Sequence, residues 1–219
     1  FAYISSLGGA IQDLEILKNT GNYVDNLSRE EKYESVNDGY ERGIFIDHIF
    51  NEDQYKLYKK GSDTKSGIFS KIKYSELKFT NKHFEVQLTA QALFGKQQQL
   101  IHLRKKYIIN STGMIVQYII KNLSDKPFNS KFIVESNIAH TKLNPENISF
   151  YKIEVVNDNN FVEIDSSKST DNNNDSLQNV ETIRITDSQH GICFGFEPNE
   201  NCEYFYMPIV FNRNNTKSL

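Results

Sequence analysis

The sequence predicts an all-β protein: a large antiparallel sandwich of two sheets with few short helices, in a single domain over residues 1–219. His83 to Phe94, read as HFEVQLTAQALF, alternates apolar and polar side chains, which is typical of a strand with one buried face. About a dozen segments of strand character follow one another, separated by turn sequences and without a repeat period. Helix signals are few, so packed antiparallel sheets are the expected architecture.

The first predicted elements along the chain are short helical segments on either side of a buried strand. Ser28 is followed three residues later by Glu31, the form of a capping box, so a helical turn is expected to begin there. Tyr40 to Phe50, YERGIFIDHIF, contains a short apolar run that indicates a buried strand. Asn51 to Lys60 predicts a second short helix.

A hairpin and a series of further strands are predicted after these segments. Gly67 to Phe79 is rich in aromatic and branched residues, and Asn81-Lys82 would turn the chain into the strand at His83 to Phe94. The connections NSTG, NLSDKP and DSQHG have the composition of turns. The remaining predicted strands are Leu100 to Asn110, Met114 to Lys121, Phe128 to Ile138, Ser149 to Val156, Asn160 to Asp165, Val180 to Thr186, Gly191 to Glu197 and Glu203 to Phe211.

The second half of the chain also contains an Asn-rich stretch and both cysteines. Ser166 to Gln178 has almost no apolar residues and is expected to be a long surface loop. Cys193 and Cys202 flank a predicted turn, so they would form a disulfide if they faced each other across a hairpin, and otherwise remain reduced. Their spacing does not suit a zinc site.

Composition and charge exclude several classes of function. The 219 residues carry a net charge of −3 without a basic stripe, so we predict no nucleic-acid partner. The roughly 18 consecutive apolar residues of a membrane span do not occur, and the N-terminus lacks the order of a signal peptide, so no membrane partner is expected. Because the chain starts at Phe1 and not at Met, we expect it to be a piece of a longer protein.

The stretch YERGIFIDHIF places charged and polar residues in an apolar run. Strand alternation puts Arg42 and His48 on one face and Asp47 on the other. Buried polar groups need partners, so these residues are either hydrogen-bonded architecture or part of a ligand site. Arg42 could pair with Asp47, pair with Glu135, or reach a ligand.

A second set of candidate residues lies on a later strand. Glu135 and Asn137 are two positions apart and therefore share a strand face, where they could bind sugar hydroxyls or form a buried polar network. Tyr33 and Tyr40 could stack on a pyranose ring or serve as ordinary packing.

The sequence predicts neither a metal site nor a cofactor. His140 and His190 have no partner at metal-ligand spacing. The acidic residues at Asp158 and from Asp171 to Asp175 lack the residue order of a calcium-binding EF-hand loop, so solvated loops are expected there.

Four stretches together resemble one known domain. They are Gly8-Gly9-Ala10-Ile11-Gln12-Asp13-Leu14, then Asn26 to Tyr33, then Arg42 to Phe50, and later Val134 to Ala139. In this order they are similar to the C-terminal β-sandwich domain of α-amylase and 4-α-glucanotransferase enzymes of glycoside hydrolase family 57. The chain departs from the family pattern at Asp13, where Glu is usual, at Arg29, where two Arg are usual, and at Ile49, which separates His48 from Phe50.

The resemblance implies a fold like that of the galactose-mutarotase superfamily, whose wide sheets hold sugars in several relatives. It also implies that the catalytic carboxylates lie in a separate N-terminal domain, which would be the main partner of this chain. A retaining glycosidase needs two carboxyl groups about 5 Å apart, and no pair in this chain has the local features of that role.

Three functional hypotheses follow from the resemblance. The first is a noncatalytic C-terminal domain of an α-glucan-processing enzyme that supports the catalytic domain and contacts an α-glucan or oligosaccharide. The candidate carbohydrate contacts are Tyr40, Arg42, Asp47, His48, Glu135 and Asn137. The second is a free-standing carbohydrate-binding or mutarotase-like domain, in which His48, His102 or His140 would act with Glu135 as general acid and base. The third is a purely structural module that never meets sugar.

Overall fold

A computed structural model describes residues 2–15, 39–60, 67–80, 84–110, 113–138, 151–164, 176–188 and 191–206. Within these residues the chain forms thirteen strands and one helix. The elements are β1 (Ala2–Ile4), β2 (Ile11–Leu14), β3 (Ile44–Phe50), α1 (Glu52–Lys59), β4 (Ser75–Thr80), β5 (Glu85–Phe94), β6 (Gln99–Ile109), β7 (Met114–Asn122), β8 (Lys131–Ser136), β9 (Tyr151–Asn157), β10 (Asn160–Ile164), β11 (Leu177–Asp187), β12 (Ile192–Phe196) and β13 (Cys202–Tyr204). The predicted all-β class is confirmed.

The strands form three antiparallel sheets. The first sheet has the order β1-β2-β3-β8, and the second has the order β4-β5-β6-β7. The third sheet has the order β10-β9-β11-β12, with β13 paired to β11. The chain divides into two compact units, the first with β1 to β8 and most of α1, and the second with β9 to β13. The single domain expected from the sequence stays a prediction.

Most of the predicted strands are confirmed, with small shifts at their ends. The exception in the first unit is Gly67 to Phe79, which forms a strand only from Ser75 onwards. Before that point Ser70 N–H donates to the carbonyl of Gly67, and Ile72 N–H donates to that of Phe69, so the backbone turns. The turns bury Phe69 and Tyr74, which explains the strand-like composition of this stretch. The short strand β1 had no sequence signal.

Several sequence predictions fall outside the described residues. They are the helical turn at Ser28, the turn at Asn81-Lys82, most of the loop from Ser166 to Gln178, and the strand segment beyond Tyr206. Tyr33, His140 and His190 also lie there.

The core of the first unit lies between its two sheets. Ile49 of β3 and Leu103 and Tyr107 of β6 are almost fully buried there. Tyr107 Oη donates to the carbonyl of Gly9 at 2.6 Å, which ties β6 to the chain just before β2. The second face of β3 carries α1 and its buried tyrosines, so β3 is covered on both faces.

The helix α1 is the element predicted at Asn51 to Lys60. Asn51 Oδ1 accepts the N–H of Gln54 at 2.9 Å, and Gln54 Oε1 accepts the N–H of Asn51 at 3.1 Å. This reciprocal pair is a capping box that fixes the first turn. The helix buries Tyr55 and Tyr58, three residues apart on one face.

The third sheet separates the two cysteines. Cys193 of β12 pairs with Thr186, whereas Cys202 of β13 pairs with Val180, six residues earlier in β11. Six residues of strand span about 20 Å, so the side chains cannot form a disulfide. Both cysteines are free thiols. In the described residues no helix combines the length and the apolarity that crossing a membrane requires.

Candidate functional site

Strand β3 presents polar side chains on both of its faces, as strand alternation predicts. Asp47 and His48 are both fully buried, and they contact different groups. Asp47 points towards β6 of the second sheet, where it meets Lys105. His48 points towards α1 and Glu135 of the neighbouring strand β8. The sequence therefore builds two separate polar sites around one strand.

Glu135 is the centre of the site on the helix side. Its Oε2 accepts hydrogen bonds from Tyr40 Oη at 2.6 Å and Tyr58 Oη at 2.5 Å, and it lies 2.9 Å from His48 Nε2. Asn137 Nδ2 donates to the other oxygen, Oε1, at 2.7 Å. We call these five residues the Glu135 cluster. It joins β3, β8, α1 and the chain before β3 through one carboxylate.

His48 uses both nitrogens of its ring. The N–H of Gly67 donates to Nδ1 at 3.1 Å. A backbone N–H can donate only to a ring nitrogen without a proton, so the proton of His48 lies on Nε2 and points at Glu135. A Cβ on Gly67 would lie 2.5 Å from Cβ of His48, so only glycine fits at this position.

The electrostatics of the cluster favour an ionised Glu135. Burial by itself raises the pKa of this carboxyl, but the hydrogen bonds from His48, Tyr40 and Tyr58 outweigh it and lower the pKa from 4.5 to about 2. Burial, followed by the negative charge of Glu135, raises the pKa of Tyr58 well above its ordinary value. Tyr58 therefore remains a hydrogen-bond donor.

Asp47 is the centre of the site between the sheets. Lys105 Nζ lies 3.0 Å from both of its carboxylate oxygens, and neither side chain is exposed. Tyr74 Oη donates to Oδ2 at 2.8 Å. The ammonium also donates to the carbonyl of Phe45, a bulge residue with a φ of 64°. The bulge turns this carbonyl towards Lys105.

Aromatic rings surround the buried ammonium of Lys105. Its Nζ lies 5.3 Å from the ring centres of both Tyr107 and Tyr118. Burial lowers the pKa of Lys105, and the charge of Asp47 opposes this effect. Burial likewise raises the pKa of Asp47 against the opposing charge and hydrogen bonds of Lys105. The pair is a desolvated salt bridge, and Tyr74 and the carbonyl of Phe45 supply further hydrogen bonds to its two charged groups.

The structure brings four of the six predicted site residues together. Tyr40, His48, Glu135 and Asn137 belong to the Glu135 cluster. Asp47 belongs to the other face of β3, where its cation is Lys105. Arg42 lies buried just before β3, with 5% of its surface exposed.

Sequence reasoning missed Tyr58, Lys105 and Tyr74. Lys105 had a usable signal, because it stands at an apolar position of an alternating strand, between Leu103 and Tyr107. Tyr58 had none, since a tyrosine on a short helix is typical of ordinary packing.

The chemistry that the two sites can perform follows from their geometry. Their carboxylates lie on opposite faces of the first sheet, so they cannot flank the same glycosidic bond. The other candidate base, His102, lies on β6 with its Nε2 2.6 Å from Thr89 Oγ1. Among the residues that the structure describes, no three His, Cys, Asp or Glu side chains are close enough to hold a metal ion.

Comparisons with known proteins give one match. The family model of the α-amylase/4-α-glucanotransferase C-terminal domain matches residues 19–210, which is most of the chain. Searches of curated proteins and of solved structures find no significant match. The match includes β3 and β8, the two strands that carry the candidate residues. The chain therefore belongs to the family of α-amylase/4-α-glucanotransferase C-terminal domains.

Proposed function

We propose that this chain is a noncatalytic domain that supports the catalytic domain of an α-glucan-processing enzyme. The observation that carries the proposal is the state of the two buried carboxylates. Asp47 is paired with Lys105, and Glu135 accepts hydrogen bonds from the side chains of its cluster. Each carboxylate holds chain segments together and lies on its own face of the first sheet. Both are suited to architecture and not to bond cleavage.

The experiment that tests this proposal separates stability from catalysis. In the enzyme that contains this domain, Lys105→Met should shorten the half-life at elevated temperature and leave kcat/KM for maltoheptaose unchanged at a permissive temperature. The isolated chain should neither hydrolyse maltoheptaose nor transfer its glucose units. Glucan cleavage by the isolated chain that Glu135→Gln abolishes would overturn the proposal.

Contact with carbohydrate is a second candidate function, and the exposure of the Glu135 cluster favours it. The Glu135 side chain is 12% exposed, and Tyr40 and Asn137 are half-buried, so the rim of the cluster reaches solvent. A sugar hydroxyl could form a hydrogen bond at this rim, because the carboxylate of Glu135 and the amide of Asn137 can each form further hydrogen bonds. Of the six candidates, Arg42, Asp47 and His48 are too deeply buried to join such a contact.

An NMR titration with maltoheptaose tests carbohydrate contact. Amide shifts confined to Tyr40, Glu135 and Asn137, with no shifts from the β-linked glucan cellohexaose, would support it. Spectra that stay unchanged at a large excess of maltoheptaose would leave the domain purely structural.

The geometry argues against a mutarotase-like enzyme. An acid and a base of this kind must stand on either side of the sugar, whereas His48 Nε2 and Glu135 Oε2 are in direct contact at 2.9 Å. His48 is also fully buried and uses its other nitrogen for Gly67. Polarimetry should show freshly dissolved α-D-glucose mutarotating at the rate of buffer alone, and acceleration by the chain would restore this alternative.

A further inference from the structure

The outer edge of β7 is an open strand edge among the residues that the structure describes. Within these residues β7 ends the second sheet and pairs with β6 on one side only. Leu123 N–H donates to the carbonyl of Leu100, and Asn110 N–H to that of Gly113, so the odd-numbered residues of β7 bond to β6. The even-numbered residues therefore direct their N–H and C=O groups away from the sheet. We call Met114, Val116, Tyr118 and Ile120 the β7 edge.

The two edges of the second sheet differ in their protection. Strand β4, at the opposite edge, carries Glu76 and Lys78 and a register shift between them. Charges and bulges of this kind block the addition of another strand. Residues 114–120, MIVQYII, contain no charge and no proline, and their pairing with β6 runs without a register shift. The β7 edge thus lacks the features that protect β4.

Apolar side chains flank the open edge. Ile115 and Ile119 on the outer face of the sheet are 49% and 47% exposed, Leu123 is 48% exposed, and Ile120 is 37% exposed. Gln117 and Lys121 separate these residues on the outer face, so they do not form a continuous apolar patch, but apolar side chains beside backbone groups that no described strand pairs with favour the addition of another strand.

We propose that the β7 edge pairs with the β7 edge of a second copy of this chain, in an antiparallel two-fold arrangement centred on Tyr118. The outward-facing residues then pair with one another, Tyr118 with its own mate and Val116 with Ile120 of the partner copy. Among the odd-numbered residues, Gln117 of one copy faces Ile119 of the other. The second sheets of the two copies would then join into one continuous eight-stranded sheet. Neither copy would need to form a new strand, because both β7 strands already exist in the single chain.

Charge supports a second copy as the occupant. In this register Lys121, the first charged residue of β7, faces Ile115 of the partner. The two Lys121 residues are six positions apart along the strand, about 20 Å, which exceeds the Debye length of about 8 Å at physiological salt. Like charges therefore do not oppose each other across the two-fold axis. The proposal concerns a surface of the second sheet and is independent of the function proposed for the Glu135 cluster.

The test measures the mass of the 219-residue chain by sedimentation from about 1 µM to about 1 mM, the range in which small interfaces dissociate. We expect the mass to rise with concentration towards twice the chain mass of 25.4 kDa. The double variant Gln117→Lys/Ile119→Lys should remain monomeric, as should Gln117→Glu/Ile119→Glu, because like charges then meet across the axis. A 1:1 mixture of the two variants should recover the doubled mass.

A matched control places the same charges elsewhere on the same face. Gln91 and Leu93 are exposed on β5, which pairs with strands on both sides, so Gln91→Lys/Leu93→Lys should dimerise like the unmodified chain. Amide exchange at Val116, Tyr118 and Ile120 should be at least about tenfold slower in the dimer than in the lysine variant. A chain that stays monomeric up to about 1 mM would overturn the proposal. A dimer that persists in both charged variants would also overturn the proposal. Slow exchange of the three amides in a monomer would overturn it as well, because another segment of the same chain would then cover the edge.

Discussion

Lys105 Nζ lies 3.0 Å from both carboxylate oxygens of Asp47, although 58 positions separate the two residues and neither side chain reaches solvent. The pair connects β3 of the first sheet to β6 of the second at the centre of the first unit. Together with the Glu135 cluster on the other face of β3, it explains how one strand can hold adjacent buried polar residues.

Removal of one member of this pair should be strongly destabilising. We expect Lys105→Met to lower the free energy of unfolding by about 3–5 kcal/mol, because Asp47 is left as an uncompensated buried charge. Adding Asp47→Asn to this variant should recover part of the loss, since the charge is then gone and Tyr74 keeps an acceptor. Urea unfolding monitored by circular dichroism measures each difference.

Lys106 provides the matched control for Lys105. It is the next residue on the same strand, it pairs with Glu85 at 3.2 Å, and its side chain is 28% exposed. Lys106→Met should cost less than about 1 kcal/mol. Equal effects of the two lysine substitutions would contradict the assignment of Lys105 as a structural cation.

Glu135 should make the stability of the chain depend on pH in the acid range. Its folded pKa of about 2 lies below the ordinary value of 4.5, so its contribution is fully present above pH 4.5 and is lost as the pH falls towards 2. The difference corresponds to about 3 kcal/mol. The stability gap between the unmodified chain and Glu135→Gln should therefore narrow steadily between pH 5 and pH 2.5 in urea titrations. A gap that stays constant over this range would show that the carboxylate is not stabilised by its partners.

The hydroxyl of Tyr58 should help to hold the pKa of Glu135 down. In Tyr58→Phe, Oε2 loses a donor that lies 2.5 Å away, so the pKa of Glu135 should rise from about 2. The carboxyl ¹³C shift of Glu135, followed against pH, measures this change. Tyr3→Phe, at a tyrosine that is 48% exposed, should leave the titration of Glu135 where it was.

Gly67 should tolerate no side chain. In Gly67→Ala the new Cβ would lie 2.5 Å from Cβ and 2.8 Å from Cα of His48, so the backbone must move and weaken the N–H bond to Nδ1. We expect a loss of about 1–3 kcal/mol in the free energy of unfolding. Gly113→Ala, at a position with no atom within 4 Å of the new Cβ, is the control and should have little effect. A neutral result at Gly67 would mean that the loop carrying it can shift away from β3.

Most elements of the fold could be predicted from local patterns. The alternation in β5 depends on neighbours in sequence, so it identifies a strand without knowledge of the tertiary structure. The prediction of a strand over Gly67 to Phe79 was wrong before Ser75, because the buried aromatic residues there lie in turns. Composition alone does not distinguish buried turns from buried strands.

The sequence by itself determined the all-β class, the family resemblance through its spaced motifs, and the opposition of Asp47 and His48 on the two faces of β3. It could not determine their partners. Lys105 meets Asp47 over 58 positions and Glu135 meets His48 over 87 positions, and a side chain's partner at such a distance is set by how the strands pair and the layers stack. Only the tertiary structure decided that these buried charges are satisfied by the protein itself, because desolvation and pairing are properties of the packed layers and not of the local sequence.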